Sequence, residues 1–283
     1  MLDIMNKTRR LVELLGHDEE PFGVYYDDTK PDGFGPKPGE VFSRERESAG
    51  QIDWQNAQKT FSCILGNIWL ARKKKKAAWI SHEECGCMGG GFYAGLYRPY
   101  LETNIFYVST GIPEANMEGE HYLPSTDSMR AFMDNVMPPE APKKYCIFKP
   151  LDQFSDAARP LVINFFARPE VISGLYSLTM YATGDFNSVV TPFSSACGYL
   201  VSWPLVYQQR GEEKAVLGGF DLSARKFMKT DELTFAVPLP LYSKMLEIME
   251  TSALPRHTWN GVRKKVHRSI DAWEKKTKNR ETP

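Results

Sequence analysis

The stretch Trp79–Leu96 joins an apolar segment to a helical one through a loop rich in glycine and cysteine. The apolar segment Ala77–Ile80 predicts the end of a β-strand, and Met88–Leu96 predicts a helix loosened by glycine. Cys87 therefore lies where a helix begins, and there free backbone N–H groups and the helix dipole favour negative charge. Such a setting makes a thiol a better metal ligand or nucleophile. We expect this loop to form half of a thiolate site.

Predicted strands and helices alternate along the chain. The strands are predicted at Phe22–Tyr26, Ala77–Ile80, Ile105–Val108, Tyr145–Phe148, Leu161–Phe166, Ser188–Val190, Ala215–Leu217 and Thr234–Val237. The helices are predicted at Met1–Glu20, Gln55–Arg72, Met88–Leu96, Ser125–Met137, from Pro169 to near Gly184, Pro240–Met249 and Trp259–Trp273. This alternation predicts an α/β fold with a mixed or largely parallel sheet flanked by helices. Since no stretch is typical of a linker, we predict a single domain over residues 1–283.

Two segments have a composition of their own. Asp27–Gly50 contains three prolines, several glycines and many charges, which predicts a loop insertion at the surface over about residues 27–50. The helix that starts at Trp259 has one apolar stripe and one basic face, and the basic residues continue to about residue 279. We expect the stripe to pack against the protein and the charges to be solvated. Contact of the basic face with nucleic acid or a partner is the alternative.

Composition excludes several classes of protein. The chain has 283 residues and a formal net charge of zero, so no overall field draws it toward nucleic acid or an anionic membrane. No apolar run approaches the roughly 20 residues that a membrane-spanning helix needs. The five cysteines are an odd number and do not follow a secreted disulfide framework. We predict a cytoplasmic protein with reduced thiols, and we expect neither nucleic acid nor a membrane among its partners.

Four cysteines are candidates for one site. Cys85 and Cys87 are two residues apart, so an extended segment or a glycine loop brings both sulfurs within reach of one metal ion or cluster. Cys63 lies on the predicted helix before the loop, and Cys197 lies at a strand-to-helix junction, where α/β folds build sites. Together they offer three or four sulfurs. Cys146 lies inside an apolar strand and is expected to be a buried, inert thiol.

The residues around the cysteines suggest which ligand would bind. Gly89, Gly90 and Gly91 allow the backbone to approach a ligand closely. Thiolates favour an iron–sulfur cluster or zinc over magnesium or calcium. His82 could be a metal ligand, a hydrogen-bond donor or a proton carrier. The chain has no dinucleotide fingerprint, no P-loop and no nucleophile elbow.

Five motifs, in this order, resemble the family called domain of unknown function 169. They are Phe-Ser-Cys-Ile-Leu-Gly, Cys-Met-Gly-Gly-Gly-Phe-Tyr-Ala-Gly-Leu, Val-Ile-Asn-Phe-Phe-Ala-Arg-Pro-Glu-Val, Ser-Ala-Cys-Gly and Gly-Gly-Phe-Asp-Leu-Ser-Ala-Arg. The resemblance covers roughly residues 15–250. The family is widespread in anaerobic bacteria and archaea, and its biochemical role is not established. It therefore implies a fold and a set of cysteines, but no reaction.

The resemblance also implies which positions matter. The family pattern has cysteines at the positions of Cys63, Cys87 and Cys197, and an arginine at the position of Arg225. This chain has glycine near Gly218, where the family usually carries another cysteine. Cys85 is an addition here and is expected to supply a fourth metal ligand instead.

The leading hypothesis is a cytoplasmic iron–sulfur protein with a redox role or a small ligand. The predicted cluster ligands are Cys63, Cys85, Cys87 and Cys197. A small anionic ligand would be held by the backbone of Gly89, Gly90 and Gly91 and by Arg225. Its partners would be an unknown small molecule or a redox protein.

Two alternatives remain open. The first is a cysteine-dependent enzyme in which Cys87 is the nucleophile and His82 the base. The second is a ligand-binding or interaction module without enzymatic activity, either stabilised by zinc or free of metal.

Overall fold

The computed structural model describes residues 1–97, 100–113 and 116–278, and in these ranges the strands form one sheet of eight. The strands are β1 (Phe22–Asp27), β2 (Gly33–Phe34), β3 (Ala77–Ser81), β4 (Tyr145–Pro150), β5 (Val162–Ala167), β6 (Val189–Val190), β7 (Ala215–Gly218) and β8 (Leu233–Pro238). Their order is β2-β3-β4-β1-β5-β8-β7-β6. The pairs β2–β3 and β6–β7 at the two edges are parallel. The central pairs are antiparallel.

The predicted α/β fold with a mixed sheet is therefore confirmed. Of the two sheet types expected, the mixed one forms, and it is mostly antiparallel. Alternation of strands and helices does not fix strand direction, because a helix can return the chain to either end of the sheet.

Helices cover the sheet, and none within the described ranges is long and apolar enough to cross a membrane. The helices are α1 (Leu2–Leu15), α2 (Arg44–Ser48), α3 (Trp54–Lys59), α4 (Ile64–Lys74), α5 (Met88–Tyr93), α6 (Glu102–Val108), α7 (Thr126–Asn135), α8 (Pro169–Thr183), α9 (Trp203–Gln209), α10 (Leu239–Ile248) and α11 (His257–Lys278). A π-helical turn, Gly198–Ser202, runs directly into α9.

Side chains of the central strands alternate between two cores, one on each face of the sheet. In β1, Val24 and Tyr26 belong to one core and Tyr25 to the other. In β5, Phe166 and Phe165 divide in the same way. This period of two is the geometry of an extended strand. Since both faces are covered, the central strands are largely apolar.

The two cores are built from different helices. Helices α4, α5, α6, α7 and α9 contribute to the first core, and we call their side of the sheet the cavity face. Helices α1, α8 and α10 contribute to the second core. The five cysteines are free thiols, and Cys85, Cys146 and Cys197 belong to the first core. The sheet therefore places the cysteine chemistry on one side.

Two local predictions were wrong. The predicted helix Gln55–Arg72 is two helices, α3 and α4, and Cys63 is the cap residue before α4 rather than a residue inside a helix. The predicted strand Ile105–Val108 is the end of helix α6. There, Leu101 and Ile105 are buried one helical turn apart. Packing against the core thus overrides the strand preference of a β-branched and aromatic segment.

The insertion and the C-terminal helix each differ from expectation in one respect. Residues 27–50 contain β2 and α2, and Phe42 from this segment is buried in the core, so the insertion is more than a surface loop. Helix α11 begins two residues before the predicted Trp259 and continues past Trp273 to Lys278, and residue 279 lies outside the described ranges. Trp259 donates a hydrogen bond to the Leu14 carbonyl. Farther along the stripe, Val262 and Ile270 are 46% and 39% exposed, so the expected packing is limited to the start of the helix.

A buried arginine connects three distant segments. The guanidinium of Arg72 in α4 forms ion pairs with Glu19, before β1, and with Glu232, before β8. The side chains of Arg72 and Glu232 are only 7% and 3% exposed. The guanidinium also lies 4.2 Å from the ring centre of Phe166 in β5. This contact attaches α4 to the centre of the sheet.

Replacing Arg72 with Met is expected to lower the free energy of unfolding by about 3–5 kcal/mol, because it leaves buried carboxylates without a partner. Urea denaturation measures this change. The control is Lys74→Met, which removes an exposed cation two residues away and should change stability by less than about 0.5 kcal/mol. Equal effects of the two substitutions would show that the Arg72 ion pairs do not stabilise the fold.

Candidate functional site

A cavity of about 500 Å³ opens on the cavity face. It is enclosed by the start of α4, by α5 and α6, and by two loops at residues 193–199 and 220–223. Its volume is in the range of pockets that bind small organic molecules. Phe42 of the insertion completes part of the wall.

The structure brings three of the predicted thiols to this cavity. Cys63, Cys87 and Cys197 all line it. Cys63 is the cap residue of α4, Cys87 that of α5, and Cys197 that of the π-helical turn before α9. The Cys87 sulfur accepts a hydrogen bond from the Gly90 N–H at 3.4 Å. Three segments far apart in sequence thus present sulfur to one space, each at the start of a helical segment.

Cys85 does not line the cavity, in contrast to its expected role as a fourth ligand. Its thiol is buried and donates a hydrogen bond to the Cys87 carbonyl at 2.9 Å. This hydrogen bond stabilises the loop that positions Cys87. Cys146 is fully buried in β4, as predicted.

Of the glycines and the arginine predicted to bind a ligand, only some line the cavity. Gly89 and Gly90 line the cavity. Gly91 does not line it. A methyl group at this position would come within 2.1 Å of the Tyr97 ring, so glycine is needed here for the ring to pack against the backbone.

Arg225 is also outside the cavity wall. Its guanidinium donates hydrogen bonds to backbone carbonyls of the loop between β7 and β8, namely those of Gly219, Lys229, Thr230 and Glu232. These bonds organise the loop that places Asp221 against the cavity. The expected contact of Arg225 with an anionic ligand is therefore replaced by a structural role.

His82 is exposed and lies outside the cavity that Cys87 lines. Its ring packs edge-to-face on Tyr97 with 5.1 Å between ring centres, and it does not line the cavity. The base required by the thiol-enzyme hypothesis is thus not at the site.

Within the described ranges, the ionisable side chains that line the cavity are acids, with no Lys, Arg or His among them. They are Cys63, Tyr93, Cys87, Tyr107, Glu120, Tyr122, Cys197, Tyr199 and Asp221. Burial is the largest cause that raises the pKa of the Cys87 thiol, and the neighbouring Cys63 raises it further. Burial and the same neighbour raise the pKa of Cys197. The thiols are thus protonated when no metal is bound.

The two carboxyl groups have contrasting surroundings. Asp221 accepts hydrogen bonds from the Ala196 N–H at 2.9 Å and from the Ser223 hydroxyl at 2.8 Å. The Glu120 carboxyl makes no hydrogen bond or ion pair with the part of the chain that the structure describes. Burial, and then the charge of Asp221, raise the pKa of Glu120 to about 7. Neither the sequence around Glu120 nor its spacing marks it, so sequence reasoning missed this residue.

A binding site for a single metal ion is not preformed in the described ranges. Within residues 1–97, 100–113 and 116–278, no three His, Cys, Asp or Glu side chains are arranged to hold one metal ion. The zinc alternative therefore has no ready ligand set in this part of the chain. A cluster distributes its thiolates over several irons, so its cysteines lie farther apart than the ligands of one ion.

Fold and site together define an α/β protein with a thiol-lined acidic cavity. The chain matches the DUF169 family, described as "Uncharacterised ArCR", over residues 10–248, and it belongs to this family. The resemblance seen in the sequence is thereby confirmed over nearly the expected span. The match includes the cavity and ends before α11. No curated protein and no solved structure matches the chain.

In metal-free folded protein, all five thiols are expected to react slowly with iodoacetamide near neutral pH. Burial raises the pKa of Cys85 from 9.0 to about 11, which leaves roughly 100-fold less thiolate than an ordinary cysteine has. Mass spectrometry of timed alkylation, in native buffer and in urea, measures the difference. Fast modification of Cys87 alone in the folded protein would contradict this and favour the thiol enzyme.

Glu120 is expected to make the folded protein less stable as the pH rises. Its pKa in the folded state is about 7, above the ordinary 4.5, so the folded state holds a proton that the unfolded chain releases. Stability should fall between about pH 4.5 and about pH 7 and change no further above that range. Urea denaturation of the wild type and of Glu120→Gln, at about pH 5 and about pH 8, measures this effect.

The glutamine variant should lack this part of the pH dependence, and the exposed control Glu118→Gln should retain it. If all three proteins show the same pH dependence, Glu120 is not desolvated in the folded state.

Proposed function

We propose that this protein binds an iron–sulfur cluster in the cavity and uses it for a redox reaction or for binding a small ligand. Cys63, Cys87 and Cys197 would hold the cluster. The observation that carries the proposal is that these three thiols, from distant segments, line one cavity.

The donor set suits a cluster in several ways. Thiolates are soft ligands that select iron–sulfur clusters over hard cations. The backbone N–H of Gly90, which reaches the Cys87 sulfur, is the kind of donor that tunes cluster potentials. The apolar and aromatic wall limits access of water to the site. Iron would also replace the protons that burial keeps on these thiols.

Three cysteines leave one position of a four-iron cluster without a thiolate. Because Cys85 is committed to the Cys87 carbonyl, the proposal does not use it as a ligand. The remaining position would then be available to Glu120, which lines the same cavity, or to a bound small molecule. An anionic ligand is not part of the proposal, since the described cavity wall contains no basic side chain to hold one.

A cytoplasmic location is part of the proposal. The five free thiols suit a reducing compartment, and a redox protein would be the expected partner there.

A metal-free ligand-binding module is the second candidate. It is favoured by the cavity volume and by the lack of a preformed single-ion site in the described ranges. The thiol enzyme has less support, because the described cavity wall contains no basic side chain to activate Cys87.

Purification without oxygen, followed by iron and sulfide analysis, tests the proposal. The wild type and Cys85→Ser should contain iron and sulfide, and Cys63→Ser, Cys87→Ser and Cys197→Ser should each lose most of both. Cys85→Ser is the matched control because it removes a neighbouring thiol that does not line the cavity. Circular dichroism identifies any variant that fails to fold.

Two results would contradict the proposal. The first is wild-type protein without iron and sulfide, and the second is full retention of the cluster after loss of Cys87. About one zinc per chain would instead support the zinc alternative.

A further inference from the structure

We propose that the cavity binds a small organic cation with apolar substituents, of the quaternary or methylated ammonium class. This ligand class belongs to the same site, and it rests on the proposed function only in that the cavity is a binding site. The observations that carry it are the sign of the charges in the wall, the aromatic lining and the apolar mouth.

The described lining of the cavity contains two carboxyl groups and no basic side chain to pair with them. Glu120 and Asp221 are the carboxylates among its described lining residues, and the same lining includes no Lys, Arg or His. A desolvated carboxylate is costly unless a cation or hydrogen-bond donors compensate it. Asp221 has such donors, whereas Glu120 has none in the described part of the chain. An occupant with positive charge would compensate Glu120.

Aromatic residues neighbour Glu120 and Asp221. The backbone N–H of Glu120 bonds to the Tyr107 carbonyl at 2.8 Å, which places the two residues side by side. The Tyr122 hydroxyl lies 3.4 Å from an Asp221 oxygen, and its ring meets that of Phe193 edge-to-face at 6.0 Å. Aromatic faces attract cations, and aromatic cages are the typical site for quaternary ammonium groups.

The full aromatic lining is larger still. Beyond the three rings already named, it includes Phe42, Trp54, Phe61, Tyr93, Tyr199 and Phe220. A strongly hydrated cation, such as a metal ion or free ammonium, would have to lose its water against these rings. An alkylated cation presents methyl groups to the rings and spreads its charge, so this wall favours it.

The mouth of the cavity points to the same class. Phe61, Phe193, Phe220 and Leu222 line the cavity, yet they are exposed by 52%, 45%, 47% and 77%. They therefore form its rim toward solvent. A rim of large apolar side chains is unusual on a protein surface and marks a binding site. It suits a ligand with an apolar body, and the acidic interior then selects those that carry positive charge.

Calorimetric titration with choline and with its uncharged carbon analogue, 3,3-dimethylbutan-1-ol, tests the inference. Choline should bind at least about tenfold more tightly than the alcohol, because only choline gains from the rings and carboxylates. Glu120→Gln should weaken choline binding at least about tenfold and leave binding of the alcohol unchanged. The control Glu118→Gln changes an exposed carboxyl outside the cavity and should bind choline like the wild type.

Three results would overturn the inference: no saturable choline binding up to about 10 mM, equal affinity for the alcohol, or unchanged choline binding by Glu120→Gln. Iron and sulfide are measured on the same samples. Choline binding by iron-free protein would support the cation site even if the cluster proposal fails. A cluster-containing protein that binds no choline would overturn only the cation site.

Discussion

The packing of α4, α5 and the turn before α9 on one face of the sheet determines where the sulfurs of this protein lie. Helices α4 and α5 contact β3, and α9 contacts β8. Each begins at a cysteine or directly after a cysteine-capped turn. The sheet therefore converts three separate local capping positions into one thiol-lined cavity. The ion pairs of Arg72 attach α4 to the sheet centre and so support the same arrangement.

The charge of the cavity follows from what surrounds those thiols. Burial raises the pKa of the sulfurs and of Glu120, and no basic side chain lines the described wall to offset it. Without an occupant, such a site keeps its protons. A positively charged occupant, whether cluster iron or an organic cation, removes the penalty of ionising these groups. Cluster and cation are thus two uses of one electrostatic property.

The sequence was sufficient for features that depend on local pattern. The strand at Ala77–Ile80, the helix start after Cys87 and the α/β class all follow from periodicity and glycine placement. The sequence was insufficient where contacts with distant residues determine the secondary structure. Residues Ile105–Val108 form a helix because the core requires it.

The site could be predicted from the sequence only in part. The cysteines at the cavity were candidates because they stand out in composition and family pattern. The carbonyl contacts of Arg225 and the position of Glu120 depend on loops that no local motif specifies. Cys85 is a related case, because spacing places two sulfurs near each other but does not tell which one faces a cavity and which one bonds to the backbone.

X-ray absorption at the iron edge, on protein prepared without oxygen, tests the central claim most directly. The account predicts iron surrounded by sulfur with a second iron at short distance, and loss of this signature when Cys197 is replaced by Ser. Iron bound only by oxygen and nitrogen, with no neighbouring iron, would contradict it.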